Sequence, residues 1–263
     1  MYTRFLLLLI FPVIIAAGKF LSSAFFDWEK VTAQKTHTGW TRSFLKGQTR
    51  DLEILEIEAF TLYPGKITHS YLIDSHDENL YIVKEGTAEI IMNNVTRELP
   101  EGGVLVASQG NRVVIRNRSS SSLVYYSIRL KPKFFKPIPK SQKKASGFYL
   151  LTDTVKEQIT MEGSLRTLLN RPTSLLKNLD IHAVTLKSDF NRIEQQTGSQ
   201  DEFIIIRNGI VFGTLKGKSF KLGKGSVIFL TSDNPIEISN GSEDACEYFV
   251  VRWSTWSQAQ KKQ

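Results

Sequence analysis

Apolar residues in this chain come in short bursts, many alternating with polar ones. Leu52 to Leu62 reads LEILEIEAFTL, and NLYIVKEG, TAEIIM, GVLVAS, RVVIRN and LVYYSIRL follow it. β-Branched and aromatic residues dominate the bursts and Gly, Asn, Pro and Ser punctuate them, which predicts strands joined by tight turns. Asn93-Asn94 and Lys216-Gly217-Lys218 have the composition of hairpin turns, and Gly102-Gly103 and Lys224-Gly225 suit a turn ahead of a strand. No run long enough for a major helix interrupts them, so the expected class is all-β.

The pattern occurs twice. Gly39 to Leu62 lies over Gly163 to Leu186 at an offset of 124, with Arg42 on Arg166, Thr49 on Thr173 and Thr61-Leu62 on Thr185-Leu186. ENLYIVKEG, ending at Gly86, then lies over DEFIIIRNG, ending at Gly209, and Asn117 to Arg129 over Asn240 to Arg252, at an offset of 123. A tandem duplication follows, with one residue of slippage in the loop between Leu62 and Gly86. The expected units are residues 37–130 and 163–254. Between them lies a basic linker and packing segment, 131–162, where LLTDTVKEQITMEGSL leaves room for a short helix, and a polar tail runs from 255 to 263.

The order of these features resembles the cupin superfamily and, taken twice, a bicupin of the ureidoglycine aminohydrolase-like type. The first copy carries it in Leu62-Tyr63-Pro64-Gly65, Ile82-Val83-Lys84-Glu85-Gly86 and Pro100-Glu101-Gly102-Gly103-Val104. The second carries it in Ile205-Ile206-Arg207-Asn208-Gly209 and Leu222-Gly223-Lys224-Gly225-Ser226-Val227. The resemblance implies two antiparallel jelly-roll barrels (double-stranded β-helices), each with a ligand pocket in its mouth. It also implies where a metal would sit. Metal-binding cupins carry an H-x-H pair, a glutamate and a later histidine, because a divalent ion needs at least three converging ligands and an open position. In the first copy those slots hold Leu72 to Ser75, Asn79 and Val113; in the second, Gln195 to Gly198, Glu202 and Ile236. Only Glu202 survives, so no cofactor is expected.

Several residues are candidates in place of the lost set. His69, His76 and Glu78 bracket the slipped loop and would form a low-affinity site for Mn, Fe, Ni or Zn, although alternation puts Glu78 on the opposite face from Asn79. Glu202, with Gln195 or Gln196 beside it, is a candidate hydrogen-bonding residue, or an acid or base if an apolar pocket raises its pKa. His182 and Glu58 occupy the same position in the two copies and form a candidate inward-facing polar site, with Asn79 and His69 as further ligand contacts. Cys246 aligns with Leu123 and reads as a small buried hydrophobe. The repeated Arg42, Arg166, Arg129 and Arg252 read as partners of acids such as Asp51, Glu53 or Glu56.

Charge and composition narrow the classes. The net charge is +8, but Arg4 and Lys19 lie in an N-terminal apolar segment and six lysines fall between Lys131 and Lys144, leaving the rest near neutral. No basic face for nucleic acid is expected. One cysteine excludes an internal disulfide. Met1 to Ala24 has the pattern of a signal peptide, its apolar run Phe5 to Ala17 too short for a stable span and broken by Pro12, with cuts before Lys19 or Phe25. Export to a periplasm or beyond is therefore expected; an uncleaved anchor is the alternative. Asn94, Asn117 and Asn240 head glycosylation triplets that matter only in a eukaryotic secretory route. The functional expectation is a binding or structural module for a small polar molecule such as a sugar or sugar acid. The alternatives are a rearranged cupin enzyme (hydrolase, isomerase or dioxygenase type) and a homodimeric interaction protein with vestigial pockets.

Overall fold

The strand pattern is realised nearly burst for burst. The computed structural model describes residues 20–74, 76–135, 147–194, 200–232, 234 and 236–256. Two short strands, β1 (Ala24–Phe26) and β2 (Ala33–Lys35), precede the first copy. That copy runs β3 (Gly39–Gly47), β4 (Leu52–Leu62), β5 (Tyr71–Leu72), β6 (Glu78–Glu85), β7 (Ala88–Met92), β8 (Val95–Leu99), β9 (Val104–Ser108), β10 (Arg112–Arg116) and β11 (Leu123–Pro132). Two more, β12 (Phe148–Leu150) and β13 (Gln158–Ile159), precede the second copy. It runs β14 (Gly163–Arg171), β15 (Asn178–Leu186), β16 (Asn191–Glu194), β17 (Glu202–Asn208), β18 (Ile210–Leu215), β19 (Lys218–Gly223), β20 (Val227–Leu230), β21 (Ile236–Asn240) and β22 (Cys246–Ser254). Both hairpin turns form where left-handed residues allow them: Asn93 and Asn94 have φ of 51° and 66°, Lys216 and Gly217 51° and 75°.

Each copy is a jelly roll of one seven-stranded and one four-stranded antiparallel sheet. The large sheets run β12-β9-β6-β11-β4-β3-β2 and β1-β20-β17-β22-β15-β14-β13; the small ones run β5-β10-β7-β8 and β16-β21-β18-β19. The duplication therefore reaches further upstream than sequence identity shows. β1 and β12 are equivalent, 124 residues apart, and each joins the sheet of the other copy: β1 pairs with β20 and β12 with β9. The stretch 148–159 is thus tied into the two sheets at its two ends. The helix allowed for in that segment is a single 3-10 turn at Thr152–Thr154 between two strands committed to opposite sheets. Even the irregularities repeat, with register shifts between Ser43 and Leu45 in β3 and between Thr167 and Leu169 in β14.

Alternation along the long strands assigns two environments. In β4, Leu55, Ile57 and Ala59 join a core that also takes Ile181, Phe203, Val251 and Trp253, so the two large sheets pack face to face across the middle of the molecule. The opposite face of each large sheet packs on its own small sheet, with Tyr81, Val83, Ile90, Ile115 and Tyr125 in one copy and Ile204, Ile206, Ile238 and Tyr248 in the other. Cys246 is fully buried in the second of these cores, and burial pushes its thiol up to about 11.

The N-terminal arm belongs to the structure. The Leu21 amide donates to the Gln48 carbonyl at 2.7 Å, and the Ser23 hydroxyl meets that of Thr231 at 2.9 Å. A cut before Lys19 keeps these contacts, whereas one before Phe25 removes them; residues 1–19 lie outside the described residues. Asn117 and Asn240 are buried and serve as corner posts: their amides donate to the carbonyls of Leu62 and Ser121 and of Leu186 and Asp244. Neither is presented for glycosylation in the folded chain.

Candidate functional site

The inward face of the first copy opens into a cavity of about 520 Å³ at the mouth of the jelly roll. Three adjacent strands build its wall because alternate residues point the same way. β4 supplies Glu56, Glu58 and Phe60, β6 supplies Asn79 and Tyr81 with Asp77 just ahead of it, and β11 supplies Tyr125, Ser127 and Arg129. Phe60 and Tyr125 stack on one another in this wall, with centroids 5.5 Å apart and planes 18° from parallel. His37 and His69 stand at the rim with ring centroids 5.9 Å apart, beside the exposed Trp40, Ile67, Tyr71 and Leu72.

Polar chemistry gathers at the floor. Arg129 donates from Nε to Asp77 Oδ2 at 2.8 Å and lies 4.0 Å from Glu56. The other oxygen of Asp77, Oδ1, is buried without a hydrogen-bond partner, and so is Asn79 Oδ1, while the Asn79 amide nitrogen lies 3.4 Å from the Tyr81 hydroxyl. Glu58 accepts from Ser43 at 2.9 Å; burial raises its pKa, and that hydrogen bond opposes the rise. Burial likewise lifts the Tyr81 and Tyr125 phenols above their usual value, so both stay protonated at neutral pH. The lining thus holds four carboxyl side chains (Glu56, Glu58, Asp74, Asp77) against one guanidinium. At an effective dielectric near ~20, unit charges ~4 Å apart interact by about 4 kcal/mol, so the sign of a lining decides which ligands enter.

The same positions in the second copy are occupied differently. His182 takes the place of Glu58, as expected from the alignment, and its Nε2 lies 2.8 Å from Asp180, the counterpart of Glu56, while its Nδ1 meets the Thr167 hydroxyl at 3.2 Å. Glu202 takes the place of Asn79. It is fully buried, and Arg252, the counterpart of Arg129, donates to it. Where the first copy has Phe60, Tyr81 and Ser127, the second has Val184, Ile204 and Val250, all buried in its apolar core. The surviving family glutamate is therefore half of an ion pair beneath aliphatic side chains.

The other sequence candidates separate. His69 stays at the rim of the cavity. His76 packs against Phe135 at 4.8 Å between centroids. Glu78 does sit opposite Asn79, but that face is the buried seam between the large sheets: it accepts from Ser108 at 2.9 Å and from Thr173 of the other copy, and burial pushes its pKa up to about 7. The three are not brought together. Gln195 and Gln196 lie outside the described residues, as does most of the lysine-rich stretch after Lys133. Of the repeated arginines, Arg129, Arg252 and Arg166 pair with acids (Arg166 with Glu157 at 3.2 Å), while Arg42 lies over the Trp28 ring at 4.3 Å. The sequence reading had not assigned Asp77, Phe60, Tyr81, Tyr125 or Ser127 to a site.

No family model and no curated protein matches the chain in sequence. Solved structures do match in fold. Protein Ylba from E. coli superposes with a TM-score of 0.71 at 13% identity, over 90% of this chain and 92% of that one. A Pseudomonas aeruginosa protein described as glyoxylate-induced gives 0.72 at 12%, over 94% of both. A Bacillus subtilis oxalate decarboxylase with Mn(II) centers gives 0.68 at 11%, over 90% of this chain and 78% of that one. The chain is a bicupin in fold. Its described residues do not fit a divalent metal: in the first copy Asn79 and Val113 stand in the cavity wall where ligands would be, in the second Glu202 is held by Arg252 and Ile236 is apolar. Among the described residues no three His, Cys, Asp or Glu side chains converge as a ligand set.

Proposed function

We propose that this chain, a bicupin in fold, is an exported protein that binds a small polar molecule in the mouth of its first jelly roll, with the second copy as structural support. The observation that carries the reading is the cavity of about 520 Å³ whose floor presents buried, unpartnered acceptors at Asp77 and Asn79 beside a stacked aromatic wall. Pockets of this size, mainly apolar with a few convergent polar groups, suit a ligand of one or two rings. A single ring carrying several hydroxyls, such as a sugar, matches donors to the acceptors and a flat face to Phe60 and Tyr125. The excess of carboxylates favours a neutral sugar over a sugar acid. Export rests on the N-terminal apolar segment.

Calorimetric titration of the chain with glucose, galactose and glucuronate, repeated on Ser127→Phe, tests this reading. Saturable binding lost in Ser127→Phe is expected, because a phenyl group there fills the cavity. Inert pockets in a stable dimer would replace the binding reading with an interaction role.

A further inference from the structure

The lining of the first cavity carries more carboxyl groups than cations, four against one guanidinium. Arg129, the cation of the lining, is already engaged by Asp77 and Glu56. Glu58 has a serine hydroxyl as its partner, and the second oxygen of Asp77, whose side chain is 9% exposed, has none. The amide oxygen of Asn79 is equally unsatisfied. Leaving buried acceptors unpaired is costly, and a native structure tolerates that where a ligand supplies the donors. The hydroxyls of Tyr81, Tyr125 and Ser127 can turn to donate or accept, but Asp77 Oδ1 and the Glu58 carboxylate can only accept while ionised. On the same lining stand the stacked rings of Phe60 and Tyr125, whose π-electrons attract positive charge. The second copy is the internal control. There an imidazole replaces one of the acids, Glu202 and Arg252 neutralise each other, and aliphatic groups fill the space.

We propose that the first cavity selects a small organic cation, an amine or amidine attached to a flat apolar group, with its N–H donors on Asp77, Asn79 and Glu58 and its ring against Phe60 and Tyr125. This deepens the pocket reading above and rests on it. A sugar and an aryl cation share the flat-face requirement and differ in charge, so charge is the variable to test.

Three probes of one shape separate the cases: benzamidine (cation), benzyl alcohol (neutral) and benzoate (anion), titrated calorimetrically into the full chain near neutral pH, with glucose as a fourth arm. Benzamidine is expected to bind at least about tenfold more tightly than benzyl alcohol, with benzoate weakest, since a charge-assisted hydrogen bond and a cation–π contact both act on the cation alone. Asp77→Asn, which keeps an acceptor for Arg129 while removing the charge, is expected to lose about tenfold in benzamidine affinity and little for benzyl alcohol. Glu58→Gln gives a second neutralisation on a different strand, read the same way if Asp77→Asn fails to fold. Glucose binding without benzamidine binding overturns the cation assignment and leaves the pocket reading standing. Benzoate binding as tightly as benzamidine, or benzamidine affinity indifferent to both substitutions, overturns it as well. Loss of every ligand in wild type overturns both readings together.

Discussion

The two jelly rolls share a backbone down to the position of their β-bulges, yet one lines an open, acidic cavity and the other packs aliphatic side chains at the equivalent described positions. The contrast comes from a handful of inward positions on three strands. Glu58 corresponds to His182, Asn79 to Glu202, Ser127 to Val250, and Phe60 and Tyr81 to Val184 and Ile204. The outward positions between them hardly change in character, because that face is common property: the large sheets pack on each other, and a residue lost from either weakens one shared core. Duplication thus held the seam constant and released the mouths to diverge. One copy can serve the fold while the other carries chemistry.

The sharpest way to break the comparison is through the equivalent arginines. Arg252→Met removes the guanidinium that pairs with Glu202, whose side chain is fully buried. Removing one member of such a pair costs about 3–5 kcal/mol. Arg129→Met leaves Asp77 and Glu56, with side chains 9% and 18% exposed, on the lining of an open cavity and is expected to cost less, about 1–3 kcal/mol. Urea melts of the two variants measure the difference; equal losses would mean that the second mouth is as wet as the first.

A control on the shared seam should show the reverse. Ile57 and Ile181 are equivalent, fully buried and members of one core. Their Ala variants should each lose about 2–5 kcal/mol and should match one another within about 1 kcal/mol, since both open the same layer. A large disparity would show that the copies do not share the seam equally.

The seam also predicts a pH dependence. Glu78 meets Thr173, and its counterpart Asp201 meets Thr49, so each acid is tied to a threonine of the other copy. Burial raises both acids, Glu78 from 4.5 to about 7. A raised folded-state value means the folded chain binds the proton more tightly than the unfolded one. The stability this confers is complete below about pH 4.5 and is lost as pH rises through about 7. The shift corresponds to about 3 kcal/mol. Glu78→Gln, which stays neutral, is expected to flatten the fall in thermal midpoint between acidic and mildly alkaline buffer. An unchanged slope in that variant would assign the dependence to other groups.

How much of this was legible beforehand follows from the same division. Strands, turns and duplication are local or repetitive signals, and they survive where identity is low. The pairing of Glu58 with His182 came from aligning the copies. The role of Glu78 was half legible: alternation assigned its face, but nothing in a single strand says that a second sheet covers it. Asp77, Phe60 and Tyr125 were missed although the signal was available, since Phe60 is two residues from Glu58 and Asp77 two from Asn79, on the same side of their strands. The exchange of β1 and β12 was not readable, because strands of three residues carry too little pattern to show which sheet they join.

The smallest effect expected tests whether the second core is closed because of its packing or because of its polar pairs. Cys246 stands where the first copy has Leu123, fully buried, with its thiol raised to about 11. At that value the thiolate is scarce near neutral pH, and reaction with a thiol reagent should follow unfolding rather than precede it. Cys246→Leu adds bulk beside Gly209, where even a Cβ on the glycine would stand 2.8 Å from the cysteine Cβ. The variant is therefore expected to lose about 1–2 kcal/mol through overpacking, despite copying the first domain. A gain in stability would mean that the second core has slack the first does not, and that its mouth is held shut by Asp180–His182 and Glu202–Arg252 rather than by close packing.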